Sequence, residues 1–402
     1  MNLDIPSRFN PLIHQARQVA REVFRPISRH YDRHEHRYPK ELDMFAALMD
    51  GMNHGDPGGA GAGQLARSGS GDYSGNRNGT NMKTVLGLIE LCWGDVGLAL
   101  SIPRQGLGNS AIAAVASDEQ LARFQGTWAA MAITEPGAGS DSAAIRTTAV
   151  EDGDDFVLNG EKIYVTAGDR ADSVVVWATL DPARGRAAIK SFVVTKGTPG
   201  MTVERLERKL GIRASDTAAI RFENCRIPRE NLLGSADIDN DRGFAGAMQT
   251  FDNTRPVVAG MAVGIARAAL EKAREHLAAA GLDVDSYPNQ TWTQPAVTRE
   301  LQWLEAELEA ARLLTLRAAW MADNGQPNSV QASMAKAKAG RVANTITLRC
   351  VELCSSLGYG ETELLEKWAR DSKILDIFEG TQQIQLLIIA RRLLGKSSSE
   401  LK

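Results

Sequence analysis

The spacing of apolar residues changes twice along this chain of 402 residues, and the changes limit the folds open to it. Between residues 8 and 50, apolar side chains recur at steps of three and four, which is typical of amphipathic helices. The same pattern returns between Met82 and about Ala122. From about 128 to 238 the spacing approaches two, as in strands, and from about 243 it is helical again. We therefore predict an α+β protein.

The middle segment predicts a small, mostly antiparallel β-domain. Residues 173–178, 189–194 and 219–222 are rich in β-branched or aromatic side chains. Residues 156–165 are predicted to form a hairpin that turns at Asn159 and Gly160. Because no amphipathic helix separates these strands, alternating strands and helices are a poorer interpretation.

The C-terminal segment predicts long helices joined by short polar connectors, as in an antiparallel bundle. We divide the chain into a helical domain at 1–127, a β-barrel-like domain at 128–238 and a four-helix bundle at 239–402. Within the first domain, 10 of the 29 residues at 51–79 are glycine, which predicts a flexible loop. A lid or a partner contact is the alternative for that loop.

Composition excludes several classes of function. The net charge is −3, from 46 basic and 49 acidic residues, and the sequence contains no basic patch that would bind nucleic acid. No run of about 18 apolar residues predicts a membrane span, and the N-terminus lacks a signal-peptide pattern. Four cysteines without paired spacing favour reduced thiols and a cytoplasmic location.

Two motifs indicate chemistry. Residues 379–385, Glu-Gly-Thr-Gln-Gln-Ile-Gln, follow a helical run and offer a lone carboxylate at a glycine-containing turn, which suits a general base. Residues 132–141, Ala-Ile-Thr-Glu-Pro-Gly-Ala-Gly-Ser-Asp, form a loop rich in backbone donors and small hydroxyls. Such a loop suits a cofactor with many oxygen atoms.

These motifs resemble the acyl-CoA dehydrogenase family, medium-chain members in particular. The resemblance covers nearly the whole chain and is densest in four blocks in the family order, at 134–141, 159–168, 251–260 and 370–385. It implies the acyl-CoA dehydrogenase fold, FAD as cofactor and an acyl-CoA thioester as substrate. In the family reaction, a base removes the pro-R proton from Cα while flavin N5 accepts a hydride from Cβ.

The resemblance gives Glu379 the role of that base. A free glutamate, with a pKa of about 4.3, is too weak a base for a C–H acid, so the pocket must raise its pKa. The thioester oxygen would be held by a flavin ribityl hydroxyl and by the Glu379 N–H. The alternative role for Glu379 is a helix cap beside Thr381.

The family's binding residues carry over to matching positions. Tyr164 stands where tryptophan is usual, which leaves a smaller stacking surface, and Thr166 would donate to flavin N5. The residues that the resemblance places against FAD are Met131, Ile133, Thr134, Gly139, Ser140, Tyr164, Thr166, Thr381 and Gln383. Those it places against acyl-CoA are Ser140, Phe251, Asp252, Thr254, Arg255 and Gly380. The alternatives are an ordinary turn at 134–141 and a helix-surface pair of Asp252 with Arg255.

Two family elements are altered here. Residues 277–288 lack the arginine that normally reaches the FAD of a neighbouring subunit, and none lies between Arg274 and Arg299. In residues 352–358, Glu352 replaces a neutral donor, and Ser355 and Ser356 replace glycines. Both elements would serve a partner's cofactor, so we predict an α2β2 heterotetramer with a paralogous subunit. An electron-transferring flavoprotein is the expected electron acceptor.

Several rival interpretations remain open. An acyl-CoA oxidase, or a non-catalytic subunit that binds acyl-CoA, would share most of these motifs. A metal site at His30, His34 and His36, with Asp32 and Glu35, is a further alternative, but a solvated helix end is favoured and no metal is expected. Residues 61–66 match GxGxxA without a preceding strand, so a dinucleotide fingerprint is disfavoured.

Overall fold

The computed structural model describes residues 5–52, 79–104, 106–238, 245–285, 291–397 and 400. Most of the predicted glycine-rich loop, together with the GxGxxA match inside it, therefore lies outside the described residues. Within the described helices, none is long and apolar enough to cross a membrane.

The N-terminal region is helical, as predicted. Its helices are α1 (Asn10–Val19), α2 (Arg25–Arg33), α3 (Glu41–Met52), α4 (Thr80–Gly94), α5 (Val96–Ala99), α6 (Leu107–Val115) and α7 (Asp118–Arg123). A π-helical turn at Ala20–Phe24 joins α1 to α2, and the Arg25 N–H donates to Ala20 O. This wider turn precedes Pro26, whose ring would clash with a carbonyl four residues earlier in an α-helix. The chain therefore passes Pro26 without ending the helix.

The middle region is one seven-stranded sheet. Its strands are β1 (Ala129–Ala132), β2 (Thr148–Asp152), β3 (Asp155–Thr166), β4 (Ser173–Thr179), β5 (Ile189–Thr195), β6 (Met201–Leu206) and β7 (Thr217–Pro228). The order is β1-β4-β2-β3-β7-β6, and β5 also pairs with β4. The pairs of β4 with β1 and with β2 are parallel, whereas the other described pairs are antiparallel. The mostly antiparallel β-domain is therefore confirmed.

The predicted hairpin at Asn159 and Gly160 is wrong. Residues 155–166 form one long strand, β3, that pairs with β7 along its length and shifts register between Leu158 and Gly160. Gly160 has φ 150°, and a Cβ there would lie 2.5 Å from Thr147 Oγ1. The glycine thus marks a bulge with a close neighbour rather than a turn. The real hairpin joins β2 to β3 at residues 153 and 154.

The two faces of the sheet pack into separate cores. Val174 and Val176 of β4 face a core that includes Phe156 and Phe192. Val175 and Trp177, which alternate with them, face a core that includes Ile112 of α6. This alternation follows from the two-residue repeat of a strand.

The C-terminal region is helical, as predicted. Its helices are α8 (Ala245–Ala279), α9 (Ala296–Asp323), α10 (Ser329–Leu353), α11 (Ser355–Tyr359), α12 (Leu365–Ser372) and α13 (Gln382–Leu394). The apolar faces of α8, α9 and α10 share one core with α1 to α5, so the N-terminal and C-terminal helices bury each other. The sequence pattern alone did not show this shared core.

A buried charged cluster lies where the three regions meet. Lys367 Nζ of α12 lies 2.7 Å from Asp95 Oδ2, before α5, and 2.5 Å from Asp371 Oδ2. Asp371 Oδ1 also accepts a hydrogen bond of 2.6 Å from the Ile212 N–H, in the loop between β6 and β7. The charged cluster Asp95–Lys367–Asp371 therefore ties both helical regions to the sheet, close in sequence to Glu379.

Candidate active site

Glu379 lies in a tight turn between α12 and α13. After a 3-10 turn at Lys373–Asp376, the backbone takes the left-handed conformation at two successive residues, with φ 55° at Glu379 and 86° at Gly380. A glutamate adopts this conformation only under constraint, since it costs about 1–2 kcal/mol. At Gly380 a Cβ would lie 2.5 Å from Gln385 Nε2, so glycine suits this position twice over.

The Glu379 carboxylate faces helix α8. Thr254 Oγ1 donates to Glu379 Oε2 over 2.9 Å, and Thr254 and Arg255 are both buried. Burial raises the pKa of Glu379, while the Thr254 hydrogen bond and the charges of Arg255 and Lys336 oppose this effect only in part. The pKa of this carboxyl group therefore lies above its ordinary value, in the direction expected for a general base.

The backbone of the same turn is held from α10 and α13. Lys336 Nζ donates to Gly380 O over 2.6 Å. Gln385 Nε2 donates to Glu379 O over 2.9 Å and to Gly380 O over 3.1 Å. Lys336 and Gln385 are both fully buried. The turn that carries Glu379 is therefore fixed by two side chains to which the sequence analysis gave no role.

The loop at 132–141 follows β1 and is held in place by residues of β3. Glu135 and Ala138 close it with two backbone hydrogen bonds, and the Ile163 N–H donates to Thr134 O. Lys162 Nζ lies 2.7 Å from Glu135 Oε1 and 3.2 Å from Ile133 O. Both Lys162 and Glu135 are buried, so a desolvated ion pair fixes the shape of the loop.

The predicted residues of this loop differ in exposure. Met131 and Ile133 are partly buried against the core under α6, and Thr134 is partly buried as well. Gly139 and Ser140 are exposed, and a Cβ at Gly139 would meet nothing within 4 Å. The tip of the loop therefore offers its backbone and the Ser140 hydroxyl to a ligand.

Strand β3 presents Tyr164 outward. The register shifts between Lys162 and Val165, and Tyr164 between them has φ 58° and is 63% exposed. Thr166, two residues on, is partly buried and paired with Thr217. An aromatic ring held outside the sheet beside this loop suits the stacking role that the resemblance implies.

The predicted site residues thus fall into two groups. Thr254, Arg255, Glu379 and Gly380 lie together, with Thr381 as the N-cap of α13 and Gln383 exposed on that helix. The residues of the 132–141 loop, Tyr164 and Thr166 lie together on the sheet. Phe251 and Asp252 lie on α8, three and two residues before Thr254, and their side chains are outside the described part. The alternative pairing of Asp252 with Arg255 therefore lies outside it too.

The altered segment at 352–358 has a distinctive geometry. Arg349 forms ion pairs with both Glu300 and Glu352, which leaves one net negative charge on this group. Ser355 has φ 51°, so the chain keeps a conformation that favours glycine while it carries a side chain.

No metal site is found in the described ranges, where no three His, Cys, Asp or Glu side chains converge on a common point. The His30 and His34 rings lie 4.4 Å apart, and Asp32 is engaged by Arg370 over 2.6 Å.

Comparisons with known proteins now decide the family. Residues 130–225 match the middle-domain model of acyl-CoA dehydrogenases, and residues 241–394 match the C-terminal-domain model. The short-chain specific acyl-CoA dehydrogenase of Clostridium acetobutylicum is 36% identical over 267 residues, which are 66% of this chain and 68% of that protein. The chain belongs to the acyl-CoA dehydrogenase family.

Other members of the acyl-CoA dehydrogenase family give the same result. The mitochondrial short-chain specific enzyme of Rattus norvegicus is 42% identical over 266 residues, 65% of this chain. The matched region spans 62% of the rat enzyme's length. The butyryl-CoA dehydrogenase structure of Megasphaera elsdenii is 29% identical with a TM-score of 0.81, and it covers 98% of this chain and 100% of that one. The predicted acyl-CoA dehydrogenase fold is confirmed.

Sequence reasoning missed Lys336, Gln385, Lys162 and Glu135 as structural parts of this candidate site. A signal was present for Lys336, because it stands on α10 among buried small residues such as Ala332, Ala335 and Ala339. A lysine on an apolar helix face needs a specific partner, since burial of an unpaired charge is costly.

Proposed function

We propose that this protein is an FAD-dependent acyl-CoA dehydrogenase that converts an acyl-CoA thioester to the trans-2-enoyl-CoA. Glu379 is the general base. The observation that carries the proposal is the Glu379 carboxylate in its turn, with a raised pKa and a hydrogen bond of 2.9 Å from Thr254. That combination keeps the carboxylate oriented and makes it a stronger base than a free glutamate.

The residues of the chain fit FAD. The exposed tip at Gly139 and Ser140 offers backbone N–H groups and a hydroxyl, and Tyr164 offers a ring face. We propose that these residues hold FAD with Met131, Ile133, Thr134, Thr166, Thr381 and Gln383. FAD, when bound, would accept the hydride from Cβ. Phe251, Asp252, Thr254, Arg255, Ser140 and Gly380 are proposed to bind acyl-CoA.

In this proposal the chain performs three tasks. Glu379 removes the Cα proton, and its N–H donates to the thioester oxygen, which stabilises the charge that develops there. Thr254 orients the carboxylate before the proton moves. Arg255 lies close enough to lower the pKa of Glu379 by its charge, and it helps to keep part of the carboxyl population ionised.

The proposed function is tested by mixing the flavin-loaded protein with acyl-CoA thioesters of increasing chain length without oxygen. We expect loss of the flavin's visible absorbance and formation of 2-enoyl-CoA, detected by mass spectrometry. Substrate that leaves the absorbance unchanged across the series would contradict the proposal. Turnover with an electron-transferring flavoprotein, compared with reduction of oxygen, separates a dehydrogenase from an oxidase.

We further propose a heterotetramer with a paralogous subunit, in the cytoplasm. The net negative charge at Glu300, Arg349 and Glu352, and the side chain on Ser355, disfavour a diphosphate at this end of the bundle. All four cysteines are buried free thiols, which suits a reducing compartment. Co-expression with the paralogue should give an α2β2 mass with half the usual FAD. A fully flavinylated, active homotetramer of this chain alone would refute the assembly.

A further inference from the structure

Lys336 is an unusual lysine because it lies wholly inside the protein. Its side chain is 0% exposed, and its Nζ donates to a backbone carbonyl, Gly380 O. Burial lowers its pKa to about 8, against the nearby charges of Asp376 and Glu379 that favour its protonated form. Burial of a cation carries a desolvation cost, so favourable contacts must offset it, and for Lys336 these contacts lie beside the proposed base.

The contacts of Lys336 converge on the turn that carries Glu379. Two successive left-handed residues form that turn, and their carbonyl oxygens accept three hydrogen bonds from Lys336 and Gln385. The bond from the lysine is the shortest of the three, at 2.6 Å, and a charged donor makes it the strongest. Without the ammonium group, Gly380 O would keep the hydrogen bond from Gln385 but lose the stronger one from Lys336, and the turn would be free to relax.

We propose that Lys336 is a positioning residue whose ammonium group holds the Gly380 carbonyl and so keeps the Glu379 carboxylate aimed at Thr254. This inference rests on the proposed function of Glu379 as the base. The same ammonium group, together with Arg255 of α8, lowers the pKa of Glu379, while Asp376 favours the protonated form of Lys336. Lys336 thus sets the geometry and part of the charge of the site without touching the substrate.

The substitution Lys336→Met tests the proposal, with Lys338→Met as the matched control. Lys338 lies two residues away on α10, and its Nζ pairs with Glu307 on α9 over 2.6 Å. Hydrogen exchange followed by mass spectrometry should show exchange at residues 379–385 about tenfold faster in the Lys336 variant. The Lys338 variant should exchange there at the wild-type rate.

Kinetics give the second measurement. In Lys336→Met we expect kcat to fall about tenfold to a hundredfold with KM nearly unchanged, since a displaced base loses reactivity rather than binding. The acidic limb of the kcat profile should move to higher pH, because one cation that favours the Glu379 carboxylate is gone. Lys336→Arg should restore much of kcat. If Lys336→Met does not fold, Lys336→Gln enters the same comparisons.

The outcomes separate the two proposals. If no acyl-CoA reduces the flavin of the wild-type protein, the proposed function is refuted. The exchange rates at residues 379–385 are then the one remaining test of the positioning role of Lys336. An active wild type with Lys336→Met equal to Lys338→Met in exchange and in pH profile overturns the positioning role. A lower kcat with an unmoved acidic limb and unchanged exchange overturns it as well.

Discussion

Glu379 illustrates how opposing effects set the behaviour of a single residue. Burial destabilises its charged form and raises its pKa, whereas the Thr254 hydroxyl and the charges of Arg255 and Lys336 stabilise that form. A general base must be ionised to act, so the rate should fall as the pH drops through this raised pKa. Any change that removes a stabilising partner should move that fall to higher pH.

Substitution of Thr254 by valine tests this balance. The change removes the 2.9 Å hydrogen bond to Glu379 Oε2 and keeps the side-chain volume, so the pKa of Glu379 should rise further. We expect the acidic limb of kcat against pH to move upward, by about one pH unit for a bond of about 1.4 kcal/mol. Thr345→Val, on the exposed side of α10, serves as the control. An acidic limb at the same pH in both variants would argue against the carboxylate's dependence on Thr254.

Sequence reasoning found Glu379 and the residues of the 132–141 loop because each belongs to a motif of adjacent residues. It assigned no role to Lys336, because the partner of that lysine is a backbone carbonyl 44 residues away. A backbone atom leaves no trace in the sequence. A lysine on an apolar helix face indicates that a buried partner exists, but the sequence does not identify that partner.

At the scale of elements, the 132–141 loop keeps its shape through strand β3. Lys162 projects from β3 to Glu135 and to the Ile133 carbonyl, and Glu135 also accepts hydrogen bonds from Thr147 and from the Arg146 N–H. Burial lowers the pKa of Lys162 to about 8, while Glu135 favours its charged form. The pair thus couples the sheet to the proposed flavin site.

Lys162→Met should therefore damage both stability and cofactor binding. Loss of the lysine leaves Glu135 buried without its cation, at a cost of about 3–5 kcal/mol in the free energy of unfolding. We expect a lower flavin-to-protein ratio than in Lys196→Met, which removes an exposed lysine just after β5. Chemical denaturation and the visible absorbance of the purified protein measure the two effects. Equal flavin content in both variants would count against this role of the ion pair.

The error at Asn159 and Gly160 also belongs to this scale. Asparagine followed by glycine between apolar residues is a strong hairpin signal, because both residues tolerate positive φ. Here glycine is needed because Thr147, from a neighbouring segment, lies too close to leave room for a side chain. A local pattern cannot distinguish a tight turn from a tight contact, because the contacting residue lies elsewhere in the chain.

At the scale of the whole molecule, the order helix, sheet, helix was readable from periodicity. The shared core of the first and last helical regions could not be read from periodicity. A helical repeat shows that one face of a helix is buried, but it does not show which element packs against that face. The charged cluster Asp95–Lys367–Asp371 joins these regions to the sheet through Ile212. Lys367 and Asp371 lie one helical turn apart on α12, but Asp95 is far from them in sequence and meets them only in the folded chain.

Lys367→Met tests whether this cluster ties the regions together. Two carboxylates would remain buried without their shared cation, so the free energy of unfolding should fall by about 3–5 kcal/mol. Lys396→Met, at an exposed site after α13, should leave it unchanged. Unfolding followed by both tryptophan fluorescence and flavin release provides the measurement. A variant as stable as the control would show that the cluster contributes little to the assembly of the three regions.

The central claim is that the Glu379 carboxylate removes the Cα proton of an acyl-CoA. The rate of flavin reduction in a single turnover, compared between the wild type and Glu379→Gln at equal flavin content, tests it most directly. We predict a rate at least about a hundredfold lower in the variant, with acyl-CoA affinity largely retained. Reduction at the wild-type rate by Glu379→Gln would contradict the account.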